Sequence, residues 1–488
     1  MQPARRVLRS ASSSSAAAAT AAHGPFFLNC RGCRRLLQQQ QHRRAFSHTL
    51  PRLSVTASTD ATAPPVVPPA EPPAAPAPRG LARLTSRRLI SVSGPDAARY
   101  LQGVITANLF PGASSAKSAS PDLHHLRRDA GFYAAFLTAQ GRVLHDVFIY
   151  RDPRRVSEDD ASGKTSWLVE VDAAEAGRLQ QHIRRYKLRA RFDVRLVDED
   201  EVGVWQAWDD SASLSFSPSP SPSPATLLTI IPDPRAPNLG HRILTFSSSS
   251  SSTNAEETIH QSLPSATPPP PPLVPEVAYT LRRYLHGIPE GPHELPPAQA
   301  LPHESNMDLV PDAIDFRKGC YVGQELTVRT EHRGVVRKRV LPCLLYPAED
   351  GEGPASGEAP QEVSSVLAGL YRPYFTSSAA AGGNESGSHL TASMLPTEAS
   401  IGRANKSGRS AGKWLSGIGN VGLALCRLEI MTDVVLPGET GGTGASYSPG
   451  DEFVVGLGSD GSGEGGKVKI KAFVPEWLRR GLAEKGGR

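Results

Sequence analysis

The sequence predicts an α+β fold that ends in a small all-β module, and three features carry that expectation. Helix-spaced and strand-spaced apolar segments mix from about residue 81 to about residue 330. From Val335 to Phe473 the ordered stretches are all of strand type. Residues 111–121, 213–224, 247–272 and 348–413 are too rich in Ser, Pro, Gly or Ala for packed core and read as insertions into the two regions.

The leading segment is set apart by charge. Arg5, Arg6, Arg9, Arg31, Arg34, Arg35, Arg43, Arg44 and Arg52 precede the first acid, Asp60. An Arg-rich, Ser/Ala-rich, acid-free start is the composition of a mitochondrial transit peptide, assigned here to residues 1–46, and it places the protein in the mitochondrial matrix. Residues 47–80, dominated towards their end by Pro and Ala, read as a linker. Much of the formal charge of +5 sits in this leader, so the charge argues little for a nucleic acid partner. No run approaches the roughly 20 apolar residues of a membrane span. Of the five cysteines, Cys30 and Cys33 form C-x-x-C inside the segment expected to be removed, leaving Cys320, Cys343 and Cys426, too scattered for a disulfide scaffold.

Along the first region, Arg88–Val92 reads as a strand, and Asp96–Gln102 as a helix stopped by Gly103. Phe132–Leu137 and Arg142–Tyr150 form a hairpin around Thr138–Gly141. Period-2 alternation puts Leu144, Asp146, Phe148 and Tyr150 on one face, with Val143, His145, Val147 and Ile149 on the other. Asp146 therefore needs a partner or a task, because an unpaired carboxylate on an apolar face is costly. Ser166–Val171 is a strand, followed by a helix from about 172 to 188 with a basic end. Phe192–Val197, Val202–Trp208 and Ala225–Ile231 continue the sheet. Asp233-Pro-Arg235 is a rigid turn that delivers an arginine suited to holding a carboxylate. Residues 274–287 have helical spacing and end at Gly287. Leu326–Thr330 and Val335–Leu341 read as a hairpin around His332-Arg333-Gly334, with a strongly basic face. Cys343 and Cys426 lie in apolar runs and read as core. Gly456–Gly461 matches G-x-G-x-x-G by letter, but no helix follows it, so the dinucleotide reading fails.

The stretch around Cys320 carries the chemistry. Arg317, Lys318, Gly319, Tyr321, Gly323, Gln324 and Glu325 surround the thiol with cations, an amide and small residues, a setting that favours thiolate. Lys318–Glu325 resembles the K-G-C-Y/F-x-G-Q-E signature of the YgfZ-type branch of the folate-binding, glycine-cleavage T-protein superfamily. Leu101–Asn108, Pro232–Arg242, Arg283–Pro289 and Glu304–Asp308 are similar to further segments of that branch. The resemblance implies an α+β folate-binding-type region over residues 81–330 and a C-terminal β-barrel over residues 331–488. It implies a factor in iron-sulfur cluster assembly that supports maturation of [4Fe-4S] proteins. Cys320 would then be one ligand of a cluster shared with an A-type scaffold protein, with [4Fe-4S] enzymes as recipients.

The alternative that the resemblance carries is a folate-dependent aminomethyltransferase. Its candidate contacts to tetrahydrofolate are Asp146, Arg235, Glu304 and Asn306, although Glu304 and Asn306 could instead orient the loop that bears Cys320. Against it, His145 stands where the T-protein has the first of two aspartates, so half of that pair is missing. A third reading makes Cys320 a nucleophile with His303 or His332 as base.

Overall fold

The computed structural model describes residues 71–110, 130–155, 166–211, 214, 228–247, 254–263, 269–347, 362–376, 389–404, 408–436, 447–457 and 467–486. All lie in one compact unit, Thr62–Arg488. The expected transit peptide, the 111–121 insertion and most of the Ser-Pro insertion at 213–224 fall outside the described residues.

Two antiparallel sheets build the first region. The larger has strand order β3-β4-β5-β2-β6, from Gly131–Leu137, Val143–Arg151, Ser166–Asp172, Arg87–Ser93 and Asp193–Leu196. The smaller has order β1-β7-β9-β8, from Arg79–Arg83, Val202–Asp209, His241–Phe246 and Leu228–Pro232. Strand β1 thus begins inside the stretch read as linker. Helices α1 (Ala97–Val104) and α2 (Ala176–Tyr186) cover one face of the larger sheet, where Leu101, Leu179 and Ile183 pack on Val92, Val147 and Ile149. The opposite face shares a core with the smaller sheet, through Leu89, Tyr133 and Phe148 against Trp208, Ile231 and Leu244.

Strand β4 departs from simple alternation. Its register with β3 shifts at Phe136/Leu137, where His145 faces Phe136 but Val143 faces Leu137. This bulge turns Val143 to the inter-sheet core with Phe148 and Tyr150, and Leu144 to the helix-covered side, the reverse of the expectation for those two residues. Asp146 keeps its expected face.

Helix α3 (Ala255–Gln261) lies within the stretch expected as the 247–272 insertion. Ile259 is fully buried against Trp205 and Ile243 on the outer face of the smaller sheet, so an apolar anchor orders part of a polar sequence. Helix α4 (Glu276–His286) ends at Gly287 with φ +75°, a left-handed cap that favours glycine.

Helix α5 (Gln324–Arg333) replaces the strand expected at 326–330. The expected hairpin partner, β10 (Lys338–Tyr346), pairs with β15 (Val421–Arg427) along Lys338–Leu344 and with β17 (Lys467–Ala472) only along Cys343–Tyr346, while on the other edge of its first half Val340 N–H donates to Glu304 O and Val340 O accepts from Asn306. The segment with Glu304 and Asn306, not 326–330, takes the backbone groups of Val340, and β propensity without a partner strand counts for little.

The C-terminal barrel closes in the order β10-β15-β14-β13-β16-β17. Its remaining strands are β13 (Ser400–Arg403), β14 (Gly412–Ile418) and β16 (Phe453–Gly456). Trp414, Cys343, Cys426, Ile401 and Ile470 fill its interior. The stretch 348–413, expected to be one insertion, holds α6 (Val363–Leu370), the short pair β11 (Phe375–Thr376) and β12 (His389–Leu390), and β13. Leu367 and Tyr371 are buried among Leu281, Leu285 and Leu344, so a few apolar residues fasten this polar segment over α4 and the barrel wall. Beyond the short helix α7 (Leu428–Met431), helix α8 (Glu476–Gly486) closes the chain, with Leu478 in the barrel core.

Candidate functional site

The loop before α5 carries Cys320, and its geometry follows from a few polar side chains. Asp315 Oδ1 accepts the backbone N–H groups of Arg317 (2.7 Å) and Lys318 (3.0 Å), which turns the chain. Lys318 then points inward, and its ammonium donates to the carbonyl oxygens of Gln102 (2.8 Å), Ile105 (2.7 Å) and Ala107 (2.7 Å). Here the structure corrects the expectation that Lys318 adds positive charge around the thiol, because its charge is spent on the end of α1. Burial pushes the Lys318 pKa down to about 7, with Asp315 opposing.

Further ties fasten the loop to the same segment. Val322 N–H donates to Gly103 O (3.1 Å), and Asp315 N–H to Thr106 O (3.0 Å). Thr106 Oγ1 donates to Ala313 O (2.7 Å) and accepts from Ala135 N–H (2.9 Å), bridging the loop to β3. Tyr321 is buried, with its N–H capped by Gln324 Oε1 (3.1 Å) and the Lys318 ammonium 4.7 Å from its ring centroid. Gly323, at φ +83°, starts α5 against the Thr138–Gly141 turn, where a side chain would come within 2.5 Å of Thr138 O. Arg317, Gly319, Cys320 and Glu325 are exposed. The result is a loop pinned along its inner side that leaves the Cys320 sulfur open to solvent.

The other described thiols are of a different kind. Cys343 and Cys426 are fully buried, with sulfurs 3.9 Å apart inside the barrel. Burial, with Cys426 beside it, pushes the Cys343 thiol well above its ordinary range. Such sulfurs are packing atoms.

The four candidate folate contacts are occupied within the protein. Asp146 accepts from Arg87 Nη1 (3.2 Å) and from Gly291 N–H (3.0 Å) at 3% exposure. Arg235 lies between Asp233 (2.6 Å), Glu290 (2.6 Å) and the Tyr279 hydroxyl (2.8 Å), over the Tyr133 and Phe148 rings. Arg242 adds a second donor to Glu290 (3.0 Å). Burial pushes Glu290 up, but Arg235, Arg87, Arg283 and Arg242 together outweigh it and hold its carboxyl well below the usual range. These groups form one sealed charged layer between the sheets. The neighbouring His145 faces the other side, 3.9 Å from Glu175, and burial pushes it down to about 4 despite Asp146.

Glu304 and Asn306 lie against the barrel, not against Asp146 or the Cys320 loop. Asn306 donates to Val340 O (2.8 Å), Glu304 O accepts Val340 N–H (2.8 Å), and the Glu304 side chain pairs with Lys338 at 3.6 Å. With Asp308, which holds Arg339 at 2.8 and 3.0 Å, they fasten the first region to β10, a correction to the reading that they orient the cysteine loop. The donor set expected for tetrahydrofolate therefore does not fit it: two members are sealed and satisfied, and two belong to a seam.

His303, Asp308 and Glu331 bring their polar atoms within 4.8 Å of one another. Arg339 and the Lys485 ammonium, 2.9 Å from Asp308 and 2.5 Å from Glu331, already neutralise both carboxylates. The cluster is thus a latch joining α8 to α5. His303 is buried there and His332 is exposed, and among the described residues no hydrogen bond joins either to Cys320. The sequence pointed to the cysteine stretch, the Leu101–Asn108 segment and the Thr138–Gly141 turn, but not to their meeting, because Thr106 and Gly141 find their partners Ala313 and Gly323 far away along the chain.

An α+β region that leads into a closed six-stranded barrel, with one open thiol among the described residues, on a pinned loop, defines the class. The C-terminal beta-barrel domain of CAF17 matches residues 337–480. The mitochondrial iron-sulfur cluster assembly factor IBA57 homolog of Chaetomium globosum is 56% identical over 498 residues, covering 100% of this chain and 100% of that protein. Its namesake from Neurospora crassa is 46% identical over 489 residues, covering 98% and 93%. The chain belongs to this IBA57 family of mitochondrial iron-sulfur cluster assembly factors. Among solved structures, glycine cleavage system aminomethyltransferase T from Bartonella henselae is similar with a TM-score of 0.47 at 12% identity, over 82% of this chain and 86% of that one. Among the described residues no helix is long and apolar enough to cross a membrane.

Proposed function

We propose that this protein works in the mitochondrial matrix as a nonenzymatic partner in cluster assembly, lending Cys320 as one ligand of an iron-sulfur cluster shared with an A-type scaffold protein. The observation that carries this reading is the contrast among the thiols: Cys320 is exposed on a pinned loop, whereas Cys343 and Cys426 are sealed in the barrel. Thiolate is the soft ligand that iron-sulfur clusters use, and a single one cannot hold a cluster. The remaining ligands then come from the second protein, and complex formation becomes part of the chemistry. Arg317, Gly319 and Glu325 are exposed in the same stretch, while Lys318, Tyr321, Gly323 and Gln324 fix the loop. The recipients in this reading are [4Fe-4S] enzymes.

Anaerobic reconstitution with iron and sulfide in the presence of an A-type scaffold protein tests it. Cys320→Ser should keep the fold, since the side chain is exposed, and should lose the visible absorption of the mixed complex. The same cluster spectrum from the variant would rule out the ligand role.

A further inference from the structure

Helix α5 buries little of itself. Of its side chains only Thr327 is fully buried, while Glu325, Arg329, His332 and Arg333 are exposed. Their spacing of four, three and one residues puts them on one outward stripe that begins just after Cys320 and Gly323. The stripe runs into the exposed link with Val335, 46% exposed, and Arg337.

The charges here differ from their neighbours in one respect. Lys338, Arg339 and Lys485 each take a carboxylate, from Glu304, Asp308 and Glu331. Those carboxylates are thereby used up. Arg317, Arg329, Arg333 and Arg337 form no ion pair among the described residues, and Glu325 is the only exposed acid on the stripe. Several exposed arginines along the helix and link that follow an open thiol make a surface whose field attracts anions and steers an encounter.

We propose that the outward stripe of α5 and the link to β10 form the docking face for the protein that shares the cluster, and that this partner presents an acidic surface next to its own cluster ligands. The inference rests on the Cys320 reading and adds where, and by what charge, the second protein seats. An anionic membrane would also attract arginines. A partner protein is favoured because the stripe carries one exposed aliphatic residue, Val335, with no apolar face to enter a bilayer, and because it leads directly to the thiol.

The test is the triple substitution Arg329→Glu, Arg333→Glu and Arg337→Glu, with the matching Arg→Gln set as a gentler second variant. Binding of the cluster-free A-type scaffold protein is measured at low and high salt. For the unmodified protein the affinity should fall as salt rises. The Glu set should bind at least tenfold more weakly with a flattened salt dependence, and the Gln set should lose less in the same direction. Unchanged affinity in both sets overturns the proposal. Unchanged protein affinity with lost pelleting on anionic phospholipid vesicles assigns the face to a membrane and also overturns it. Cys320→Ser, run alongside, should keep the salt-dependent encounter. If that variant still forms the cluster while the charge reversals still weaken binding, the ligand role falls and the docking face stands.

Discussion

Gly141 and Gly323 meet backbone to backbone, each in the left-handed region, at φ +80° and +83°. A side chain on Gly141 would lie 2.8 Å from Gly323 O, and one on Gly323 would lie 2.5 Å from Thr138 O. This contact seats the start of α5 on the β3–β4 turn and holds the Cys320 loop at a fixed height above the sheet. Gly323→Ala is expected to cost roughly 1–3 kcal/mol, from the unfavourable φ and the backbone overlap. Thermal unfolding measures the loss. The alkylation rate of Cys320 should change with it, and an unchanged rate would mean that the turn does not position the thiol.

Lys318 should act as a clamp. Lys318→Met keeps the aliphatic stem but leaves the carbonyls of Gln102, Ile105 and Ala107 without their shared donor. The expected cost is roughly 2–3 kcal/mol. Amide hydrogen exchange should rise over residues 313–323 and at the end of α1, while the barrel stays protected. Uniform destabilisation without this local signature would contradict the clamp.

The Asp308–Arg339 pair sets a pH dependence. Burial pushes Asp308 up, but Arg339, His303 and Lys485 outweigh this and hold it at about 2, below its ordinary 3.8. Because the folded-state pKa is depressed, the contribution is fully present above about pH 4 and disappears as pH falls through about 2. Its size is about 2 kcal/mol. Urea midpoints of the protein and of Asp308→Asn, compared at pH 6 and near pH 2, should converge at the acid end. A constant gap would show that the carboxylate is not the group involved.

Tetrahydrofolate should show no saturable binding in the micromolar range. Asp146 and Arg235 already have their partners inside the sealed layer, and opening it would strand buried charges at a cost of several kcal/mol. Titration calorimetry with the full chain checks this. A stoichiometric micromolar isotherm would require a folate site built from other residues.

Local pattern was enough for most elements and to single out the stretch that carries the exposed cysteine. The hairpin about Thr138–Gly141, the helix ending at Gly287 and the core character of Cys343 and Cys426 each follow from spacing or from neighbours within a few residues. The K-G-C-Y-V-G-Q-E stretch marked Cys320 in the same way. Tertiary contacts decided the rest, because they join groups that the chain keeps far apart. Residues 326–330 form helix while Glu304 and Asn306 take the Val340 edge of β10, and Lys318 turned inward because three carbonyls of the Leu101–Asn108 segment converge there. A side chain's type states what it can bond to, and only the folded chain decides which partner comes within reach.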